Sequence, residues 1–191
     1  MRGSFSLILL SALLTPKEAN SQDHSLFISP FVSYDRFRTP GFDGGIDYGA
    51  SAGVRIAPTV SVSASAAFGR RTVTYDVIGG SQASGAHLMT LGGALEFLIL
   101  GDPARAGIAA TLGGGWLSGT FDAQRVSLGA LGSVTIPEHP ISRGFMDAGI
   151  AGRFPLSGGV AVMILPSLRF FSPFSTSPDF SIGGGLRVGI L

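Results

Sequence analysis

Seven charged residues share one alternation of the chain: Arg55, Glu96, Arg105, Asp147, Arg153, Arg169 and Arg187. Arginine forks bind carboxylates at two points, and charges held away from water must be paired or hydrated. An ion-pair network is therefore the chemistry expected of them. Catalysis is a weaker reading. A serine hydrolase needs a Ser, a His within hydrogen-bond reach and an acid that orients it. The histidines are His24, His87 and His139. His139 lies between Pro137 and Pro140 with Glu138 and Ser142 nearby, but no spacing sets a His beside a Ser on a common strand face. Histidines so scattered also give no metal-ligand spacing. Gly113 to Gly115 and Gly183 to Gly185 lack the strand-to-helix context of a phosphate loop and read as close backbone packing in strands. Neither an enzyme nor a bound cofactor or metal is expected.

The elements that position these charges are strands. From Ile46 to Ile56, the residues Ile46, Tyr48, Ala50, Ala52, Val54 and Ile56 share one face, and Asp47, Gly49, Ser51, Gly53 and Arg55 share the other. Pro58 and Thr59 turn the chain, after which Val60, Val62, Ala64, Ala66 and Phe68 oppose Ser61, Ser63, Ser65, Ala67 and Gly69. Successive strand residues point to opposite sides, so the hairpin has one apolar wall and one wall of small polar groups. A transmembrane barrel requires that contrast, with apolar residues toward lipid and polar residues toward the lumen.

Composition supports the same reading. Asp, Glu, Lys and Arg make up 13% of the chain, about half the usual share of a soluble domain. Mean hydropathy is +0.42. Beyond the N-terminus no apolar run reaches the roughly 18 residues of a membrane-spanning helix. The best candidate, Leu88 to Leu100, is cut by Gly92, Gly93 and Glu96. The hydrophobicity is dispersed in alternation, and the 29 glycines disfavour long helices. A soluble lipocalin-like barrel would carry charge on its outer face, where this chain has Ala64, Ala66, Leu112 and Leu186.

Residues 1–21 read as a cleavable signal peptide: Arg2 gives a basic start, Ser4 to Leu14 an apolar core, and Ala19 and Ser21 the small residues before a cut at Gln22. Residues 22–191 are then the barrel. Their basic residues are all Arg and equal the acids in number. With no basic patch or stripe, a nucleic-acid partner is not expected. There is no cysteine, hence no lipidated Cys anchor.

Strands are expected at about 25–37, 46–57, 60–71, 87–99, 105–117, 142–154, 160–171 and 180–191. Short connections at Pro58-Thr59, Leu100 to Ala104 and Pro155 to Gly159 alternate with longer ones at 38–45, 72–86, 118–141 and 172–179. Short turns face the periplasm and long loops the exterior in outer-membrane barrels. Tyr34, Tyr48, Phe68, Trp116, Phe170 and Phe180 fall on the apolar parity near the outer ends, and Phe97 and Phe154 near the inner ends. Such rings mark bilayer interfaces. Pro30 and Pro166 interrupt the pattern and are expected to mark bulges or strand edges.

This pattern resembles the eight-stranded outer-membrane barrels of the OmpA and OmpX type. The chain ends Val188-Gly189-Ile190-Leu191, where members of that group often end in an aromatic residue, and no peptidoglycan-binding domain is expected to follow. The resemblance implies an all-β, eight-stranded, antiparallel, up-and-down transmembrane barrel in the bacterial outer membrane. It also brings two alternative functions: a small channel gated by Glu96 exchanging arginine partners, and, less favoured, an enzyme acting on lipid A. The favoured reading is a monomer with a structural, adhesive or loop-mediated binding role. Loops on a rigid scaffold carry specific function. Phe121, Val126, Leu128, Leu131, Val134 and Ile136 suggest a hairpin above the membrane turning near Gly129 to Gly132, where a protein or surface ligand could bind. Arg36 and Arg70, on the apolar parity at the outer rim, are candidate contacts for lipopolysaccharide phosphates.

Overall fold

The computed structural model describes residues 26–36, 43–77, 80–101, 106–129, 132–157, 159–171 and 178–190. The expected signal peptide, His24, Arg105 and Leu131 lie outside the described residues. Ten strands appear: β1 (Leu26–Arg36), β2 (Gly45–Ala57), β3 (Val60–Val77), β4 (Gly80–Gly101), β5 (Gly107–Phe121), β6 (Gln124–Ser127), β7 (Ser133–Ile136), β8 (His139–Ser157), β9 (Val160–Phe171) and β10 (Asp179–Gly189). Eight of them close an antiparallel barrel in the order β1-β10-β9-β8-β5-β4-β3-β2, while β6 and β7 form a separate hairpin inserted between β5 and β8.

The alternation works as the sequence implies. Val54 pairs with Val62, Ala52 with Ala64 and Tyr48 with Phe68 on the outward face, while Ser51 pairs with Ser65 on the inward one. Ile28, Val32, Leu91, Leu112, Ile150, Ile164 and Ile182 are all exposed. An apolar surface of that extent belongs against lipid, since soluble monomers rarely expose a contiguous patch beyond a few hundred Å². Tyr34, Tyr48, Phe68, Trp116 and Phe180 face outward at one end, and Phe97 and Phe154 at the other. The Trp116 indole N–H donates to Ser142 Oγ at 2.7 Å, which gives this interfacial ring its polar partner.

Four strands are longer than expected. The predicted loop at 72–86 is instead a continuation of β3 and β4, paired in register from Thr72 with Gly85 to Val77 with Gly80. β5 likewise runs to Phe121, which pairs with His139 at the start of β8. This upper sheet has its own small core of Val73, Ala86 and Phe121, with Ile141 packed against it. The β6–β7 hairpin pairs Val126 with Val134 and Ser127 with Ser133. Beyond that last pair the chain carries positive φ at Gly129 and Gly132. Val126 is buried, whereas Val134 and Ile136 are exposed.

The prolines behave differently from the expectation. Register is unshifted through Pro30 and Pro166, so neither marks a bulge or a strand edge. Pro30 stays paired with Ala50, while on its other side the β1–β10 ladder skips from Ile28–Val188 to Phe31–Gly185. Pro166 stays paired with Ile182, while the β8–β9 ladder skips from Gly149–Ser167 to Gly152–Ile164. A missing N–H removes rungs on one side of each strand without inserting a residue. The bulges lie at the short-turn ends instead, at Arg55/Ala57, Leu98/Leu100 and Pro155/Ser157. The intervening Ile56, Ile99 and Leu156 are exposed.

Candidate functional site

Inward-facing side chains fill the lumen in layers. Near the short turns, Glu96 on β4 and Arg187 on β10 meet across the barrel. Arg187 Nη1 donates to Oε1 at 2.9 Å and Nη2 to Oε2 at 2.7 Å. The Phe27 ring lies under the guanidinium, 4.1 Å from its carbon. Two-point geometry and an aromatic face suit arginine and would not suit lysine. Arg55 and Arg153, half-buried on the inward parity, lie toward the same end. The sequence places Arg55, Arg105 and Arg153 with Glu96 by their nearness to the short turns; the structure gives its carboxylate to Arg187.

The upper half holds a larger cluster. Arg169 Nε donates to Asp147 Oδ1 at 2.9 Å and Nη2 to Oδ2 at 3.3 Å, while Nη1 reaches Asp35 Oδ2 at 3.3 Å. Arg71 Nη2 lies 2.7 Å from Asp47 Oδ1 and 3.4 Å from Asp35 Oδ2, and its Nη1 donates to the Ile46 carbonyl at 3.2 Å. Asp35, Asp47, Arg71 and Asp179 are all buried. The absence of a side chain at Gly69 makes room for the Asp47 carboxylate, and at Gly45 for the Arg71 side chain, since a Cβ at either would collide with it. The opposite wall is apolar: Leu88, Leu117, Phe145 and Phe171 form one cluster. The Arg169 guanidinium lies 4.5 Å above the Phe145 ring and joins the two walls.

Between these layers lies a cavity of about 190 Å³, lined by Ser51, Ser63, Ser65, Thr90, Thr111 and Ser167 among others, with Glu96, Arg187, Asp47, Asp147 and Arg169 at its margins. Its wall mixes these hydroxyls with the apolar side chains of Phe31, Phe145, Met163 and Leu165.

Asp35, Asp47 and Arg71 are the members that sequence reasoning missed. The signal was present, because all three follow the inward parity of Ser33, Gly49 and Gly69. Of the two rim arginines, Arg36 is exposed, and Arg70 is exposed with its Nη2 3.9 Å from Asp122 Oδ2. His87, the cross-strand partner of Arg70, has Nε2 3.7 Å from Asp122 Oδ1. His139 stacks on Phe121, its cross-strand partner, with centroids 4.6 Å apart, and its Nδ1 lies 3.4 Å from the Pro137 carbonyl oxygen, so its ring is engaged where β8 begins. Among the described residues no cluster of His, Cys, Asp and Glu has the arrangement of a metal site.

A closed eight-stranded barrel with an apolar exterior, two aromatic rims and a charged interior is the architecture of the outer-membrane barrels of the OmpA and OmpX type. The structure is similar to a major outer membrane protein from Thermus thermophilus, with a TM-score of 0.53 and 12% identity over 86% of this chain and 99% of that one. Neisserial surface protein A gives 0.49 and 11% identity over 86% and 97%. The N-terminal barrel domain of Pseudomonas aeruginosa OprF gives 0.46 and 13% over 86% and 96%. No family model and no curated protein matches the sequence. At these identities the likeness is one of fold, and the first comparison carries it.

Proposed function

We propose that this protein resides in the bacterial outer membrane as a monomer, delivered by a signal peptide at residues 1–21, and acts through its extracellular wall and hairpin without catalysis. The observation that carries this reading is the inequality of the strands. A tilted strand spans the bilayer in roughly 9–11 residues. β1, β2, β9 and β10 have 11, 13, 12 and 11 residues, close to that length. β3, β4, β5 and β8 have 18, 22, 15 and 19. The surplus is on four adjacent strands at the long-loop end, and the β6–β7 hairpin extends from it. Exposed Val134 and Ile136 offer an apolar contact to a protein or surface ligand. Arg36 and Arg70, outward at the level just above the aromatic rings, are suited to lipopolysaccharide phosphates.

Replacing residues 122–138 by a short Gly-Ser link tests the binding role. The barrel should still refold into vesicles, while attachment of bacteria displaying it to an epithelial monolayer falls to that of cells lacking the protein. Undiminished attachment would remove the hairpin from the account. The second reading, a small channel, draws on the cavity between the two ionic layers. Planar bilayers containing the protein should show no discrete conductance steps; steps that disappear in Glu96→Ala would favour the channel. The lipid A mass profile should be the same with and without the protein.

A further inference from the structure

The lumen cavity of about 190 Å³ has two unlike sides. Ser51 from β2, Ser65 from β3 and Thr111 from β5 supply hydroxyls, while Phe31 from β1, Phe145 from β8, and Met163 and Leu165 from β9 supply apolar surface. These are different arcs of the wall, because β2, β3, β4 and β5 are consecutive around the barrel and β8, β9, β10 and β1 complete it. Gly183 on β10 leaves the space open, since a Cβ there would meet only ordinary contacts, the nearest at 3.5 Å. A buried water needs two to four polar partners, which one side offers and the other does not.

A second observation lies at the end of the cavity toward the short turns. Ser29 Oγ and Arg187 Nε are closed to solvent and make no hydrogen bond among the described residues, and both side chains line the cavity. Ser29 is only 6% exposed. The pairs Ile28–Val188 and Phe31–Gly185 set it at the level of Arg187 on the neighbouring strand. Buried donors left unpaired are costly, and two at one level call for an acceptor. Glu96 already takes Nη1 and Nη2 of Arg187, so the positive charge is met and Nε–H remains as a donor alone. That selects a neutral acceptor over an anion.

We propose that the lumen cavity is a binding site for one small, neutral, amphipathic molecule. Its acceptor atom takes the hydrogen bonds of Ser29 O–H and Arg187 Nε–H, and its apolar body lies on Phe31, Met163 and Leu165. An apolar cavity of about 150 Å³ holds one benzene, so the space here takes a single ring with one or two further atoms. The site is separate from the extracellular hairpin and does not depend on it. Once filled, it plugs the lumen between the two ionic layers.

The test uses phenol as the probe, because its oxygen accepts and its ring matches the apolar side. The protein, labelled with carbon-13 at the methionine methyl groups, is refolded in detergent micelles over a series of phenol concentrations, so that entry into the closed lumen does not decide the result. Met163 lines the cavity and is 1% exposed, whereas Met146 faces outward and is 46% exposed. The Met163 methyl should shift saturably and show a nuclear Overhauser effect to the phenol ring protons, while Met146 reports only phenol dissolved in the micelle and does not saturate. Ser29→Ala should bind phenol about fivefold more weakly, the effect of one lost hydrogen bond. Gly183→Leu, which fills the cavity, should abolish the Met163 response. A wild-type Met163 methyl without a saturable shift would mean that the cavity holds water only, and would overturn the proposal. So would equal affinity in Ser29→Ala, or a Met163 response that survives Gly183→Leu. Should Gly183→Leu fail to refold, the Overhauser contact in wild type and the loss in Ser29→Ala decide together, and the absence of either overturns the site.

Discussion

Glu96 and Arg187, 91 residues apart in the chain, form a two-point ion pair across the lumen, with side chains 17% and 13% exposed. Breaking a buried pair by removing one partner leaves the other charge uncompensated, at a cost of about 3 to 5 kcal/mol. Glu96→Ala should therefore destabilise the barrel by about 3 kcal/mol in urea unfolding. Arg187→Met in that background should restore part of the loss, since an apolar pair is often tolerated better than a lone charge. An unchanged midpoint in Glu96→Ala would mean that the carboxylate is solvated.

Gly53 faces inward against Phe27, the ring that lies under Arg187, and a Cβ there would collide with that ring and with the Val62 carbonyl oxygen. Gly53→Leu should displace Phe27 from the guanidinium and lower stability by about 1 to 3 kcal/mol, the usual effect of overpacking. Gly184, on the outward parity, has an ordinary contact at 3.7 Å where its Cβ would be. Gly184→Leu should be near neutral in the same assay, and equal losses at the two positions would contradict the assigned faces.

Processing gives an independent check on delivery to the envelope. The apolar core from Ser4 to Leu14, followed by Ala19 and Ser21, leads to a mature N-terminus at Gln22 or within a few residues of it. N-terminal sequencing of envelope-bound protein should find it, and finding Met1 there would remove the export argument.

The fold was legible because lipid and lumen impose opposite chemistry on alternate residues. Within 46–71 that contrast assigns each side chain to a wall, from Tyr48 and Phe68 outward to Ser51 and Ser65 inward. The same parity marks Glu96, Asp147, Arg169 and Arg187 as inward. It does not assign partners, because which inward charges meet depends on the stagger with which β1 closes on β10, and parity carries no stagger. Glu96 thus takes Arg187 from the far wall. The extension of β3 and β4 was illegible for another reason. Above the bilayer no lipid enforces an apolar outer face, so in Thr72 to Val77 the apolar residues Val73, Tyr75 and Val77 switch to the parity held by Ser61, Ser63 and Ser65 lower down, and Ser81 to Ala86 are small and mixed. The two prolines misled because a missing N–H can cost rungs on one side without disturbing register.

The central claim is that the apolar parity of the barrel meets lipid, and Ala64 and Ser65 on β3 test it at mid-strand. Ala64 faces outward between Ala52 and Gly93, while Ser65 lines the lumen cavity. Arginine at 64 places a charge near the bilayer midplane, at a cost of about 2 to 4 kcal/mol. Arginine at 65 enters the lumen cavity, whose lining includes the Asp47 and Asp147 carboxylates. Refolding into phospholipid vesicles should be impaired more by Ala64→Arg than by Ser65→Arg; equal impairment, or a larger effect at 65, would contradict the lipid-facing assignment and the membrane role built on it.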